Sequence, residues 1–216
     1  MSFIAVIDYG MGNLRSVAKA LEHVAGKHQE VRVTSEPERV RTAERVVFPG
    51  QGAARDCMLE LARTGLGEAV LEAAQSKPFL GLCMGMQALV DFSAENGGIE
   101  CLGLLAGRAN SFAEAINEGG NKPRLKIPHM GWNQVAQTRR HPLWRGIADA
   151  SRFYFVHSYY VVPADAGLML GATDYGVRFT SAMGRNNMFA LQCHPEKSAA
   201  AGLTLLANFV NWDGAA

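Results

Sequence analysis

The chain has 216 residues, 48% of them hydrophobic and 19% charged, enough for one α/β domain with a full core. Its 21 basic and 20 acidic side chains nearly cancel, which excludes neither fold nor activity but gives no reason to expect nucleic acid or an anionic membrane as partner. No apolar run is long enough to span a bilayer.

Residues 3–9 form an apolar run consistent with a buried parallel strand, not a signal peptide, because a basic region and a small-residue cleavage site are missing. Gly10-Met11-Gly12-Asn13 breaks the run, and Leu14, Val17, Ala18, Leu21 and Val24 follow at helical spacing. A dinucleotide fingerprint would need a third glycine where Arg15 stands, so a tight turn is the better reading. Gly26 ends that helix. Residues 30–34 read as a second strand with Val31 and Val33 on one face, 36–41 as a short helix, and 45–48 as a third strand ending in Pro49-Gly50-Gln51-Gly52. Two helices, 53–62 and 66–75, precede the stretch Lys77-Pro78-Phe79-Leu80-Gly81-Leu82-Cys83-Met84-Gly85-Met86-Gln87. This alternation predicts an open, mostly parallel, flavodoxin-like sheet with helices on both faces and ligands at the carboxyl ends of its strands.

After Phe92 the pattern changes. Loops at 96–98 and 117–121 separate short strand-like pieces at 132–135, 153–156, 159–162, 169–172, 178–182 and 188–192, for which antiparallel hairpins are expected. Residues 199–212 form a final amphipathic helix, and 213–216 a frayed tail. The expectation is a single domain over residues 1–216.

The strand before Cys83 and the helix expected from Met84 through Leu89 put the cysteine on a sharp turn, with Gly81 and Gly85 two positions away on either side. That is the Gly-x-nucleophile-x-Gly elbow, where a Cβ at either glycine would crowd the turn. A helix N-terminus favours thiolate over thiol. The other cysteines, Cys57, Cys101 and Cys193, are scattered without a C-x-x-C pair, which supports neither a disulfide framework nor a zinc site and fits a reducing cytoplasm.

A cysteine nucleophile needs a base, and the base needs an orienting group. His23, His28 and His141 read as solvent-exposed, whereas His129 and His157 lie in partly apolar runs and stay open as alternatives. His194 has the strongest claim. It follows an apolar strand, Pro195 stops that strand, and the Glu196 carboxylate is close enough to fix the ring's tautomer. Cys193, its neighbour on a strand, points the opposite way and reads as core.

The motifs Gly-Leu-Cys-Met-Gly-Met-Gln, Pro-Gly-Gln-Gly and His-Pro-Glu-Lys-Ser resemble, in their order, those of the class I triad-type glutamine amidotransferases. Residues 8–17, 127–133 and 153–160 narrow the resemblance to the glutaminase subunits of imidazole glycerol phosphate synthase, in histidine biosynthesis, over essentially the whole chain. Gln51 occupies a variable place in its turn, and 116–124 carries no motif. The resemblance implies that Cys83 attacks the side-chain amide of glutamine, that His194 moves the proton and that Glu196 orients His194. The backbone N–H groups of Met84 and Gly52 would form the oxyanion hole. Gly50, Gln87, His157, Ser158 and Tyr159 would hold the substrate. No metal, flavin or nucleotide cofactor is implied.

Only one helix follows the His-Pro-Glu motif, which leaves nothing to bind an ammonia acceptor. The resemblance places that acceptor on a separate (β/α)8 cyclase subunit in a heterodimer, with Asn13, Trp132, Tyr154 and Lys197 at the interface. A stand-alone cysteine hydrolase of the same fold and a catalytically silent binding subunit are the alternatives. Some such hydrolases have histidine directly after the cysteine, where this chain has Met84, and the intact Cys83, His194 and Glu196 speak against silence.

Overall fold

A computed structural model describes residues 2–27, 29–117 and 125–215; His28 and nearly all of the motif-free 116–124 stretch lie outside them. The first half alternates as its sequence pattern demands: β1 (Phe3–Ile7), α1 (Leu14–Ala25), β2 (Glu30–Thr34), α2 (Pro37–Thr42), β3 (Arg45–Gly50), α3 (Ala54–Thr64), α4 (Leu66–Ser76) and β4 (Phe79–Cys83). β1 lies between β2 and β3, β3 pairs with β4, and all three pairings are parallel. Strand side chains alternate between faces, so β1 feeds two cores. Phe3, Ala5 and Ile7 pack with Leu61 and Val70 of α3 and α4, and Ile4 and Val6 with Leu21 of α1. Gly26, at φ 61°, ends α1 as expected.

A four-residue helix α5 (Met84–Gln87) follows Cys83, then β5 (Phe92–Ser93), β6 (Ile99–Glu100), β7 (Gly107–Ser111) and α6 (Phe112–Asn117). The hairpin region comprises β8 (His129–Gln137), β9 (Ser151–His157), β10 (Tyr159–Pro163), β11 (Met169–Tyr175), β12 (Val177–Arg185) and β13 (Met188–Leu191), and α7 (Ala199–Val210) closes the chain. The sheet runs β2-β1-β3-β4-β13-β12-β10-β7-β5-β6, and β11 leads off β12 to β8 and β9. β13 joins β4 in parallel, and its pairing with β12 is antiparallel, so β13 carries the parallel half into the hairpin half. Phe209 of α7 fills the α1 side of the core. No helix among the described residues is long and apolar enough to cross a membrane.

Three expectations need correction. The helix after Cys83 stops at Gln87, because the Leu89 N–H turns to the Met86 carbonyl at 3.2 Å and tightens the last turn. Val31 and Val33 do share one face of β2, on the sheet edge, with Val33 44% exposed. His141 is not solvent-exposed. Its ring packs against Phe189 and Trp212, its Nδ1 accepts from the Leu143 N–H at 3.2 Å, and burial pushes its pKa down to about 4. The last helix ends at Val210, short of Trp212, and the 213–216 tail is tethered where it was expected to fray: the buried Trp212 donates its indole N–H to the Ala215 carbonyl, and the Arg45 guanidinium donates to the Trp212 carbonyl.

Candidate active site

Cys83 ends β4 at φ 55°, a left-handed conformation that a non-glycine residue adopts only where its surroundings enforce it. The enforcement is visible on either side. A Cβ on Gly85 would collide with the Phe48 carbonyl of the neighbouring strand, and one on Gly81 would crowd Leu89 and Ala190. Gly50 lies opposite Cys83 in the β3–β4 register, and a Cβ there would run into the Tyr9 hydroxyl and Met84. The three glycines therefore let strand, turn and helix approach closely enough to bring the sulfur to the sheet's carboxyl edge.

His194 reaches the same edge from the end of β13. Its Nδ1 lies 3.0 Å from Glu196 Oε1. A carboxylate only accepts, so Nδ1 carries the hydrogen and leaves Nε2 for chemistry. Nε2 is buried without a hydrogen-bond partner among the described residues. Burial alone would lower the imidazole pKa, but the adjacent Cys83 sulfur and the Glu196 carboxylate outweigh it and hold His194 up at about 10. The backbone is fixed as firmly. The His194 N–H donates to the Tyr154 carbonyl at 2.8 Å, and Ser198 Oγ donates to the His194 carbonyl at 2.6 Å while accepting from the Tyr154 N–H at 3.0 Å.

The two other open histidines are engaged elsewhere. His157 Nδ1 lies 2.8 Å from the Tyr159 carbonyl and so carries its hydrogen. His157 Nε2 then accepts from His129 Nδ1 at 2.8 Å, and His129 Nε2 accepts from Asn133 Nδ2 at 3.2 Å. Burial holds their pKa values at about 3 for His157 and about 4 for His129. Both rings are neutral and have no free nitrogen to serve as base. Cys193 points into the core, where burial raises its thiol pKa well above the ordinary value.

A cavity of about 450 Å³ opens in front of Cys83, a size suited to a small polar metabolite. Gly52, Met84, Gln87, His157, Ser158 and Tyr159 all border it, as does His194. Two further residues belong here that the sequence reading did not single out. Glu95 stands on the cavity wall, its carboxylate accepting from the Ala54 N–H at 2.7 Å. Gln192, fully buried, accepts from Gln87 Nε2 at 3.0 Å and donates to Cys83 Sγ at 3.7 Å. Its signal was present: it is the one polar residue of the apolar run read over 188–192, two positions before His194.

The family model for class I glutamine amidotransferases matches residues 5–212. The chain belongs to that family. It is 58% identical over 214 residues to imidazole glycerol phosphate synthase subunit HisH of Nitrosococcus oceani, covering 99% of each chain. It is 60% identical over 213 residues to the subunit of the same description from Aromatoleum aromaticum, covering 98% of this chain and 99% of that one. Among solved structures, a chain of PurLQS from Thermotoga maritima superposes with a TM-score of 0.72 at 20% identity, covering 98% of this chain and 99% of that one. A glutamine amidotransferase crystal structure gives 0.71 at 15% identity, covering 98% and 100%. These two likenesses support the fold, a doubly covered parallel sheet with an antiparallel extension.

On this class I glutamine amidotransferase, the four residues expected at a partner surface gather around the same edge. Trp132 is 48% exposed, not a core aromatic, and its ring meets Tyr154 edge-on at 6.2 Å. Lys197 Nζ stands 5.8 Å from the centre of the Tyr154 ring, within cation–π range, and Lys197 also borders the cavity. Asn13 borders a narrow crevice with Gly50, His194 and Glu196. Met130, at 62% exposure, shares the outer face of β8 with Trp132 and enlarges the apolar rim.

Proposed function

We propose that this chain hydrolyses glutamine to glutamate and ammonia through Cys83, His194 and Glu196, and passes the ammonia to a separate (β/α)8 cyclase subunit of imidazole glycerol phosphate synthase. The observation that carries the reading is the His194–Glu196 pair at 3.0 Å, presented to a cysteine on a strained elbow at the mouth of the cavity. The Cys83 thiolate adds to the amide carbon of glutamine, and the carbonyl oxygen takes up negative charge. The Met84 and Gly52 N–H groups are its assigned donors. His194 Nε2 gives its proton to the departing nitrogen, ammonia leaves, and a thioester remains. Water then loses a proton to Nε2 and attacks the thioester, releasing glutamate and restoring the thiolate–imidazolium pair. Glu196 holds the ring through Nδ1 in both steps.

Substrate recognition follows from the wall. Gln87, His157, Ser158 and Tyr159 are assigned to the amino-acid end of glutamine, and the Glu95 carboxylate supplies a counter-charge for its ammonium group; Gly50 does not border the cavity and bears on the substrate only through the close approach of Met84 that it permits. His157 acts there through the position of the Tyr159 backbone, since both its ring nitrogens are engaged. The relatives' description as synthase subunits and the exposed Trp132–Tyr154–Lys197 rim support a heterodimer docked at this edge. Docking there would let ammonia leave without meeting bulk water, where it would protonate and lose its nucleophilicity.

The test is a glutaminase assay with and without the barrel subunit. Turnover that rises on adding the barrel, and that Cys83→Ala abolishes while the complex still forms, is the expected result. Undiminished hydrolysis in Cys83→Ala would refute the assignment.

A further inference from the structure

Gln192 is the one fully buried side chain in the described residues whose amide spans from the cavity wall to the reactive sulfur. We propose that Gln192 is a thiolate-holding residue, whose amide hydrogen is aimed at Cys83 Sγ by a hydrogen-bond chain of fixed direction; the proposal rests on the reading of Cys83 as the nucleophile.

The direction follows from one backbone carbonyl. The oxygen of Tyr159 can only accept. Gln87 must therefore turn its NH2 group toward it, at 3.1 Å, since the opposite orientation would set two acceptors face to face. The second hydrogen of that NH2 then lies toward Gln192, 3.0 Å away, and requires the Gln192 carbonyl oxygen there. Gln192 is left with one orientation, its own NH2 toward the sulfur at 3.7 Å. An amide's oxygen and nitrogen are distinguished only by such a network, and here the network permits one solution. The Tyr159 carbonyl is itself held from the other side by His157 Nδ1 at 2.8 Å, which fixes the start of the chain.

The backbone of Gln192 is pinned as well, its N–H donating to the Ser181 carbonyl at 2.9 Å. The side chain does not border the cavity, so it reaches the reaction through sulfur and not through substrate. A hydrogen bond to an ionised acceptor favours the ionised form. Gln192 thereby complements His194: the imidazolium supplies opposite charge, and the amide supplies a directed donor in a place where water is excluded.

The test uses the full chain, with Gln192→Glu as the near-isosteric change and Gln192→Met as the uncharged one. The rate of Cys83 alkylation by iodoacetamide is followed by peptide mass spectrometry at neutral pH and again at high pH, with thermal melts as a check on folding. Loss of a donor to an ionised group at this long distance predicts about tenfold slower alkylation at neutral pH in Gln192→Met. The deficit is larger in Gln192→Glu, where a carboxylate faces the sulfur, and in both variants it shrinks at high pH. Turnover falls through kcat with KM little changed. Alkylation within twofold of the parent in both folded variants overturns the proposal, as does a deficit of equal size at every pH, which marks a steric effect. Parent Cys83 that alkylates no faster than Cys57 or Cys101 would instead remove the nucleophile assignment itself, and this proposal with it.

Discussion

At the residue scale, the pairing of His194 with Glu196 carries the most weight. Glu196→Gln keeps the side-chain shape but removes the charge that stabilises the imidazolium. Loss of the orienting carboxylate in serine proteases slows turnover about 10⁴-fold, and a thiolate nucleophile depends on it less, so a loss of about 10²–10⁴ in kcat is expected in a steady-state glutaminase assay. The same change has a stability signature. His194 is held above its unfolded value, so the stability it contributes is fully present below about pH 6.5 and is lost as pH rises toward about 10. Denaturant melts should therefore show Glu196→Gln most destabilised in the acidic to neutral range and nearly level with the parent close to pH 10. This pair was legible in the sequence because base and orienter are two positions apart. Glu95 was not legible, since its partner Ala54 lies far away along the chain and no local motif marks it; Gln192 carried a local signal beside His194, but its partner Cys83 is equally distant in sequence.

At the element scale, the elbow and the β8–β9 ribbon divide the work. The elbow requires Gly85 because its Cα faces the Phe48 carbonyl across α5 and β3. Gly85→Ala forces those backbones apart, and a loss of about 2–4 kcal/mol is expected in chemical denaturation, with turnover falling further than stability alone explains. The ribbon pairs Trp132 with Tyr154 on its outer face, while Phe153, Phe155 and His157 face inward. Trp132→Ala and Lys197→Ala should weaken complex formation and the stimulation of glutaminase by the barrel, with little effect on the free chain's melting temperature. Full stimulation with unchanged affinity in both would take this face out of consideration. β1, β3 and β4 were legible from their apolar runs and β2 from its Val31/Val33 alternation, whereas the parallel pairing of β13 with β4 joins segments too far apart in sequence to be read there. The two-residue strands β5 and β6 were not legible, because a pairing that short has no period to detect, and neither was β7, whose Gly-Arg-Ala-Asn-Ser sequence carries no apolar pattern. The helix after Cys83 was drawn too long because Ala88 and Leu89 are good helix formers whose preference is overridden where the chain turns toward the loop at Leu102–Leu105.

At the scale of the whole molecule, titration sets limits on both sides of neutrality. His129, His141 and His157 are buried neutral, with pKa values lowered to about 4, 4 and 3. The unfolded chain takes up protons below about pH 6.5 and the folded one does not. Stability is thus present above that value and is lost as pH falls toward 4 and below. His157 alone contributes a slope of about 1.4 kcal/mol per pH unit across that window. Melting temperatures taken between pH 7 and pH 4.5 should fall steadily, and His141→Asn should make the decline shallower. With His194 acting in the opposite sense, these groups together set a stability maximum near neutral pH.

The parallel pairing of β4 with β13 fixes when, during synthesis, the enzyme comes into being. Cys83 and the first four strands leave the ribosome long before the strand that completes their sheet, and β4 must wait for Met188–Leu191 with one apolar edge open. Such an edge is a template for unwanted pairing, so the nascent chain is at its most vulnerable to aggregation in this interval and benefits most from a chaperone there. His194 arrives three residues behind that strand. The nucleophile therefore acquires its base in the same event that seals the sheet, and an incomplete chain has neither a closed core nor a working thiol with which to waste glutamine.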